Sequence, residues 1–311
     1  MQRPRRSCLS VPASAPRMMA KAPSLPADEV FLDLEDSVAP SHKEEARALA
    51  VQALLEGDWT GKLVGVRVNA VSTRWCHRDV IEVVGAAGGR LDFLMLPKVE
   101  RPSDVTFVAD LLRQVEEEAG LDRRIGIEAQ VESAAGLSNV EAVAAASDRL
   151  ETLVLGPADM AASLGMPALT VGRPMPGYPG DHEHYVRMRI LVAARAAGLQ
   201  AIDGPHLVIE DLDGLRAMAL RARALGYDGK WAVHPSQVEV LNEVFSPAQD
   251  EFDRAESILE TYGRSLAEGR GAARFGDEMI DEANRKMAER TAARGRAAGM
   301  IRTSPAAPGL A

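Results

Sequence analysis

Cysteine is scarce in this 311-residue sequence, and its scarcity excludes two kinds of protein. The two cysteines, Cys8 and Cys76, stand far apart, and neither belongs to a CxxC or Cys/His pattern. A disulfide framework and a thiolate metal centre are therefore excluded. A reducing compartment suits this composition best, so we expect a cytoplasmic protein.

Long apolar runs and an excess of positive charge are absent as well. No apolar run is long enough to cross a bilayer, which predicts that a membrane is not a partner. The formal net charge of -9 gives no general attraction to nucleic acid or anionic lipid, so nucleic acid is not an expected partner either. We expect small-molecule ligands instead.

Glycine-rich phosphate loops of the GxGxxG or P-loop type do not occur, which argues against an open dinucleotide-binding sheet. Short apolar runs alternate instead with segments whose apolar residues return every three or four positions. Eight such units predict an α/β fold, a closed (β/α)8 TIM barrel. The predicted strands are Arg6 to Val11, Val30 to Leu34, Leu63 to Val68, Phe93 to Leu96, Ile125 to Val131, Thr152 to Leu155, Ala201 to Asp203 and Lys230 to Val233.

The barrel pattern is complete by residue 247, and more chain follows it. A helix from Ala248 to Tyr262, a Gly/Arg linker and a helix from Met279 to Ala298 are predicted there. We therefore expect a catalytic barrel over residues 1–247, a helical extension over 248–302 and a disordered tail over 303–311. Within the barrel, the Gly- and Pro-rich segment from Leu164 to Asp181 predicts a long loop beside the pocket.

Polar side chains follow the predicted strands, at the barrel end where reactive groups gather. Carboxylates crowded there would repel one another unless a cation neutralised them. Oxygen ligands without cysteine favour Mg²⁺ or Mn²⁺ over Zn²⁺. The polar residues at the strand ends are Asp33, Glu35, Asp36, Arg67, Asn69, Lys98, Glu132, Asp159, Asp203 and His234.

Glu132 and Asp159 follow adjacent predicted strands, so their carboxylates are expected to converge on one metal ion. The alternative is that these acids cap helices or pair with basic neighbours. Both interpretations stay open for Asp36 and Asp203. Asp33, with Glu35, is expected to hold metal-bound waters or to orient ligands.

Two basic candidates also have two interpretations. Arg67 is placed to clamp a carboxylate or carbonyl oxygen in bidentate fashion, but an inward salt bridge would also explain it. His234 follows the last predicted strand and precedes a proline, so a turn there faces the pocket; a hydrogen-bonded structural histidine is the alternative.

With these motifs in order, the chain resembles the citrate-lyase β-subunit-like family, the HpcH/HpaI aldolases. The motifs DLEDSVAPSHKEEAR, RVN, LPKVE, ESAAG, LGPADMAASLGM, DGP, GKWAVHPSQV and NEVFSP occur in the expected order, nearly end to end. One such motif is weak evidence, whereas the ordered set is specific. Within the family the sequence looks most like the malyl-CoA and β-methylmalyl-CoA lyases.

The resemblance implies a magnesium-dependent barrel enzyme, with Mn²⁺ as a substitute metal. Such an enzyme joins acetyl-CoA or propionyl-CoA to glyoxylate, or splits the 3-hydroxyacyl-CoA product. Its metal ligands carry over to Glu132 and Asp159, and its substrate-binding arginine carries over to Arg67. The backbone at Ala158 and Asp159 would contact the 2-oxo acid.

The resemblance also assigns the coenzyme contacts and the base. Lys21 and the turn at Val233 and His234 would help to hold CoA. The C-terminal extension is a lid in this family, and its catalytic aspartate corresponds to Asp281. The lid covers the site of a neighbouring subunit in related oligomers, which implies a homotrimer or a hexamer built from trimers.

The first strand loop departs from the family pattern. Lyases of this group commonly have an aromatic residue at the place of Ser10 and an arginine at that of Ala15, which Arg17 would replace. These changes leave the CoA contacts and the preferred acyl group open.

Other activities compete with the malyl-CoA lyase interpretation. Citramalyl-CoA and citryl-CoA are further candidate substrates, and the sequence does not fix the direction of the reaction. A malyl-CoA thioesterase would use similar residues to activate water. A noncatalytic CoA-binding protein would keep the same fold, although the presence of all the expected site residues argues against it.

Overall fold

The computed structural model describes residues 3–167, 170–171, 175, 177–178 and 180–303. Contacts along the chain divide it into two compact units, one from Arg5 to Phe245 and one from Ser246 onward together with the N-terminal residues before Arg5. Among the described residues, no helix combines the length and apolarity that crossing a membrane requires.

The first unit is a closed barrel of eight parallel strands in sequence order, and the first strand pairs with both the second and the last. The predicted fold is therefore confirmed, with strand ends that differ from the prediction by at most two residues. The strands are β1 Ser7–Pro12, β2 Glu29–Asp33, β3 Leu63–Arg67, β4 Phe93–Leu96, β5 Gly126–Val131, β6 Leu150–Leu155, β7 Gln200–Asp203 and β8 Gly229–Ala232.

Helices connect the strands and continue beyond the barrel, and several are as short as five to seven residues. The described residues include α1 Pro16–Lys21, α2 Lys43–Glu56, α3 Cys76–Ala87, α4 Pro102–Glu118, α5 Ala134–Ser138, α6 Val140–Ala144, α7 Pro157–Ser163, α8 His184–Ala196, α9 Leu212–Leu225, α10 Val238–Phe245, α11 Gln249–Ala267 and α12 Glu282–Ala297.

Both faces of each barrel strand are buried, which explains why the strands read as continuous apolar runs. In β2, for example, Val30 and Leu32 belong to the large core that includes helix residues, whereas Phe31 packs in a smaller core with Trp231. Because successive side chains on a strand point to opposite faces, Asp33 shares the face of Phe31. This alternation places polar strand-end residues at the mouth of the barrel.

The predicted loop from Leu164 to Asp181 lies between α7 and α8, and its described residues form no helix or strand. Residues 168–169, 172–174, 176 and 179 lie outside the described part of the chain. Its position beside a pocket therefore stays a prediction.

The second unit corrects two expectations. The Gly/Arg linker contains an antiparallel hairpin of β9 Ala273–Phe275 and β10 Glu278–Ile280, and the last helix begins at Glu282 instead of Met279. Helices α11 and α12 pack through a small apolar core built around Phe252. A Cβ at Gly295 would lie 2.2 Å from the Phe252 ring, so the close packing requires glycine there. The division at residues 247 and 302 stays a prediction, and residues 304–311 lie outside the described part of the chain.

Candidate active site

Glu132 comes directly after β5 and is 2% exposed at the mouth of the barrel. Each of its carboxylate oxygens has one protein donor: the backbone N–H of Lys98 lies 2.7 Å from Oε1, and Gln130 Nε2 lies 2.5 Å from Oε2. Burial raises the pKa of Glu132 to about 8, and the nearby charge of Asp159 also raises it, against the opposing hydrogen bond from Lys98. The charges of Arg67 and Lys98 also lower this pKa, but among the described residues they do not offset the effect of burial.

Asp159 lies in the first turn of α7, after the neighbouring strand β6, and is partly exposed. Its charge raises the pKa of Glu132, and the convergence of the two carboxylates on one metal ion stays a prediction. The described residues contain no group of three or more His, Cys, Asp or Glu side chains placed to hold a metal. A pair of carboxylates is nevertheless the protein share that Mg²⁺ often takes, with water and substrate as its other ligands.

The Glu132 and Asp159 pair fits a divalent cation in two further respects. Each Glu132 oxygen accepts a single hydrogen bond from the protein, so a lone pair remains on each oxygen for a metal. A cation would also offset the energetic cost of burying the Glu132 charge and the repulsion of that charge by Asp159.

Arg67 forms a bidentate ion pair with Asp33 across the β2–β3 ladder. Arg67 Nε lies 2.7 Å from Asp33 Oδ1, and Nη2 lies 2.8 Å from Oδ2. Trp231 supports this pair, because the guanidinium carbon lies 4.9 Å from the centre of its indole ring. Burial opposes the charge of both partners, but each holds the other ionised: the pKa of Asp33 is lowered and that of Arg67 is raised.

Asp33 has no acceptor position left for a metal. Besides the two Arg67 nitrogens, the backbone N–H groups of Glu35 and Ser37 donate to Oδ1 and Oδ2 over 2.9 and 3.2 Å. A carboxylate has about four such positions, and all four are used. Asp33 therefore fixes Arg67 and the turn after β2.

Glu35, Asp36 and Lys98 form a second charged group at the mouth. Lys98 Nζ donates to Glu35 Oε1 and lies 3.1 Å from Asp36 Oδ1, and Glu35 Oε2 lies 3.4 Å from Arg67 Nη1. Burial raises the pKa of Glu35 against the opposing charges of Arg67 and Lys98. Asp36 is exposed, so its ion pair with Lys98 contributes little stability.

Lys98 has a φ of 51°, the left-handed conformation that side chains other than glycine rarely adopt. This conformation costs about 1–3 kcal/mol, and such strain is concentrated at functional sites. The strained residue contacts Glu132 through its backbone N–H and Glu35 through its side chain. Lys98 thereby links the two carboxylates.

Sequence reasoning missed Gln130 and Gly156. Gln130 bonds to Glu132, and its Oε1 lies 3.4 Å from Arg67 Nη1. A Cβ at Gly156 would lie 2.3 Å from Glu132 Oε2 and 2.7 Å from Gln130 Nε2. The two-residue spacing of Gln130 and Glu132 was the available signal for Gln130, because alternate residues of a strand share a face.

Asp203 belongs to a different network. Its Oδ2 lies 2.6 Å from Lys230 Nζ, and its Oδ1 lies 3.0 Å from Arg187 Nε on α8. Asp203 is fully buried, and although burial opposes its charge, the two cations lower its pKa. The described contacts do not join it to Glu132, so the structural interpretation of Asp203 is the better one.

Of the residues expected to contact CoA or the 2-oxo acid, Lys21, Ala158 and His234 are exposed and Val233 is partly buried, and no described hydrogen bond joins these four to Glu132. Lys21 ends α1 and is exposed, and Ala158 is exposed in the first turn of α7. His234 is also exposed and bonds through Nδ1 to Ser236 Oγ over 2.8 Å. The backbone N–H of Val233 donates to Gln237 Oε1 over 2.9 Å.

Asp281 lies in the second unit, where it caps α12. Its Oδ1 accepts hydrogen bonds from the backbone N–H groups of Ala283 and Asn284 over 2.9 and 3.2 Å. Asn284 Oδ1 in turn accepts from the backbone N–H of Asp281 over 3.0 Å, which completes a capping box. Asp281 is exposed, and its assignment as a base stays a prediction.

Comparison with known proteins finds relatives that cover nearly the whole chain. The L-malyl-CoA/β-methylmalyl-CoA lyase of Cereibacter sphaeroides is 39% identical over 296 residues, 92% of this chain and 93% of the relative. The (3S)-malyl-CoA thioesterase of the same species is 34% identical over 94% of this chain and 95% of the relative. Both lyases and a thioesterase are therefore among the relatives.

A solved structure supports the same relationship. The Mycobacterium tuberculosis CitE protein, in complex with magnesium, acetoacetate and coenzyme A, is 33% identical, with a TM-score of 0.73 over 94% of this chain and 98% of that one. The family model described as HpcH/HpaI aldolase/citrate lyase matches residues 6–235, which include all eight barrel strands. The chain belongs to the HpcH/HpaI aldolase/citrate lyase family.

Proposed function

We propose that this protein is a magnesium-dependent CoA-ester lyase. It reversibly cleaves a 3-hydroxyacyl-CoA, such as L-malyl-CoA or β-methylmalyl-CoA, to acetyl-CoA or propionyl-CoA and glyoxylate. The observation that carries the proposal is the Glu132 and Asp159 pair beside Arg67, in a chain 39% identical to a lyase of this specificity. Citramalyl-CoA and citryl-CoA are the alternative lyase substrates.

Glu132 and Asp159 would hold Mg²⁺, with Mn²⁺ as a substitute. When bound, the metal supplies Lewis-acid stabilisation for the oxygen charge that develops on the aldehyde during bond making and breaking. The partly exposed position of Asp159 leaves room for substrate beside the pair.

Arg67 supplies a fixed positive charge next to the metal pair. Asp33 occupies Nε and Nη2, whereas the longer contacts of Nη1, at 3.4 Å to both Gln130 and Glu35, leave this nitrogen available to a substrate oxygen. A preorganised donor of this kind stabilises developing oxyanion charge without reorganising at the moment of reaction.

The proposed base is Asp281. In the condensing direction its carboxylate removes a proton from the carbon next to the thioester carbonyl, and the resulting enolate attacks the aldehyde carbon of glyoxylate. The alkoxide that forms takes up a proton from water to give the hydroxyl group, and Asp281 releases its proton to water. Closure of a lid over the site would bring Asp281 to the substrate and exclude water from the reacting carbon.

The remaining assignments concern ligand contacts and assembly. Lys21 and the turn at Val233 and His234 would hold CoA, and the backbone at Ala158 and Asp159 would contact the 2-oxo acid. The extension would act as a lid over a neighbouring subunit in a homotrimer or hexamer. A cytoplasmic location is proposed because both cysteines of the chain are free and buried.

Malyl-CoA hydrolysis is the second candidate, favoured by the thioesterase relative at 34% identity. The two reactions give different products from the same substrate. Incubation of the purified protein and Mg²⁺ with malyl-CoA, followed by mass analysis, yields acetyl-CoA and glyoxylate from a lyase. Free CoA and malate would instead establish the thioesterase.

A further inference from the structure

Gln130 connects the metal pair to the substrate-binding arginine. Its side-chain amide lies between Arg67 Nη1, 3.4 Å from Oε1, and Glu132 Oε2, 2.5 Å from Nε2. The side chain is almost completely sealed from solvent at 2% exposure. No other side chain in the described hydrogen bonds contacts both Arg67 and Glu132.

The chemistry of the two neighbours fixes the orientation of this amide. Arg67 has only N–H donors, so it requires the oxygen of Gln130 on its side. The NH₂ group must then face Glu132 and donate to its carboxylate. The orientation that serves Arg67 is thus also the one that holds Glu132.

The surrounding chain leaves little freedom for the pair. The backbone N–H of Lys98 holds the other Glu132 oxygen, so both ends of the carboxylate are fixed. Gly156 brings its backbone against Gln130 and Glu132 so closely that any Cβ would collide with both. These contacts fix the directions in which the remaining Glu132 lone pairs point.

We propose that Gln130 is a positioning residue that orients Glu132 for Mg²⁺ and sets Arg67 at a fixed distance from the metal. The proposal rests on the magnesium site of the proposed function. A metal and an arginine that act on one 2-oxo acid must keep a fixed separation, and Gln130 spans that separation with one rigid amide. Loss of such an outer contact typically weakens metal binding about 10- to 100-fold.

Gln130→Met tests this role, because methionine keeps the length and removes both hydrogen bonds. Gln200→Met is the matched control: Gln200 is also a buried glutamine that accepts from an arginine, here Arg5 Nη1 over 2.5 Å, in a network apart from Glu132. Gln130→Asn provides a second variant, since it keeps an amide but withdraws it by one methylene. Isothermal titration with Mg²⁺ alone measures the metal affinity of each full-length protein, and thermal unfolding measures its stability.

We expect Gln130→Met and Gln130→Asn to weaken Mg²⁺ binding about tenfold or more, and Gln200→Met to bind within about twofold of the wild type at a similar loss of stability. Either Gln130 variant that folds is sufficient for the measurement. Wild-type affinity in that variant would overturn the role of Gln130 while leaving the lyase proposal intact. A wild-type protein that binds no Mg²⁺ would overturn the metal site itself.

Discussion

Asp33 holds Arg67 through two parallel hydrogen bonds, and the two residues are register partners at the carboxyl ends of β2 and β3. The arginine that the sequence suggested as a substrate clamp therefore already uses two nitrogens to bind Asp33. The third nitrogen, Nη1, contacts Gln130 and Glu35 over the longer distance of 3.4 Å. Asp33 thus fixes the orientation of the Arg67 guanidinium group.

Asp33→Asn should disturb the orientation of Arg67 without changing the size of the side chain at position 33. The variant removes the negative charge and one of the two acceptors, and a lost charge-assisted hydrogen bond is worth about 1.5–3 kcal/mol. We expect the KM for glyoxylate to rise and kcat/KM to fall about 10- to 100-fold. Steady-state kinetics in the condensing direction measures both values.

Asp28→Asn is the matched control, because Asp28 forms a similar bidentate pair with Arg6, over 2.8 and 2.7 Å, at the start of β1. It should lower thermal stability but leave the KM for glyoxylate unchanged. Equal effects of the two substitutions on KM would show that Asp33 has no special relation to substrate.

Gly156→Ala should displace the Glu132 carboxylate. The new methyl group would sit 2.3 Å from Glu132 Oε2, a distance that forces a shift. We expect Mg²⁺ affinity to fall about 10- to 100-fold, as it does when groups that orient a metal ligand are lost. Gly85→Ala in α3 is the control, since a Cβ there meets nothing within 4 Å. Unchanged Mg²⁺ affinity in Gly156→Ala would contradict the placement of Glu132.

Stability should depend on pH through a buried acid pair at the opposite end of the barrel. Burial raises the pKa of Glu128 well above 4.5, and the charges of Glu29 and Glu151 raise it further against the opposing charge of Arg5. Cys8 in β1 and Glu29 in β2 interact with Glu128, and burial raises the pKa of each of them as well. The folded protein therefore keeps the Glu128 proton at a pH where the unfolded chain has released it.

The sign of the effect follows from this difference in bound protons. The contribution of Glu128 is fully present below pH 4.5 and is lost as pH rises through its folded pKa, by up to about 1.4 kcal/mol per pH unit per proton. Glu128→Gln keeps a neutral donor toward Glu29, so its unfolding free energy should fall less steeply with rising pH. Urea unfolding from pH 5 to 9 measures both slopes, and identical slopes would refute a protonated Glu128.

Asp281→Asn should separate catalysis from folding of the extension. Asparagine is as good a helix N-cap as aspartate, so the bonds to Ala283 and Asn284 can persist and α12 should remain intact. We expect Mg²⁺ and CoA-ester binding to be retained while kcat falls at least about 100-fold, the range for loss of a general base. Normal turnover in this variant would mean that another group is the base.

The sequence predicted the barrel and its acidic mouth because both depend on local pattern. Buried strands give apolar runs in the sequence. The residue after each run lies at the mouth of the barrel because of its position in the strand, and its side-chain contacts need not be known. The hairpin at Ala273–Phe275 and Glu278–Ile280 was not predicted, because strands of three residues are too short to show an alternating pattern. Glycines near it suggested only a linker.

Contacts between residues far apart in the sequence could not be predicted from the local pattern of apolar and polar residues. Gly156 is required only because Glu132 and Gln130 crowd it from the neighbouring strand, and no local signal encodes that crowding. Asp203 had the same sequence signature as Glu132, an acid at the end of an apolar run. Only its contacts with Arg187 and Lys230 place it in a structural network.

The products that the purified protein makes from L-malyl-CoA and β-methylmalyl-CoA, identified by mass with and without Mg²⁺, distinguish a magnesium-dependent lyase from the alternatives. A magnesium-dependent lyase should form acetyl-CoA or propionyl-CoA together with glyoxylate only when Mg²⁺ is present, and this activity should be lost in Glu132→Ala. Free CoA together with the hydroxy acid would show a thioesterase instead, and lyase products at full rate in Glu132→Ala without metal would show that the reaction does not use this metal site.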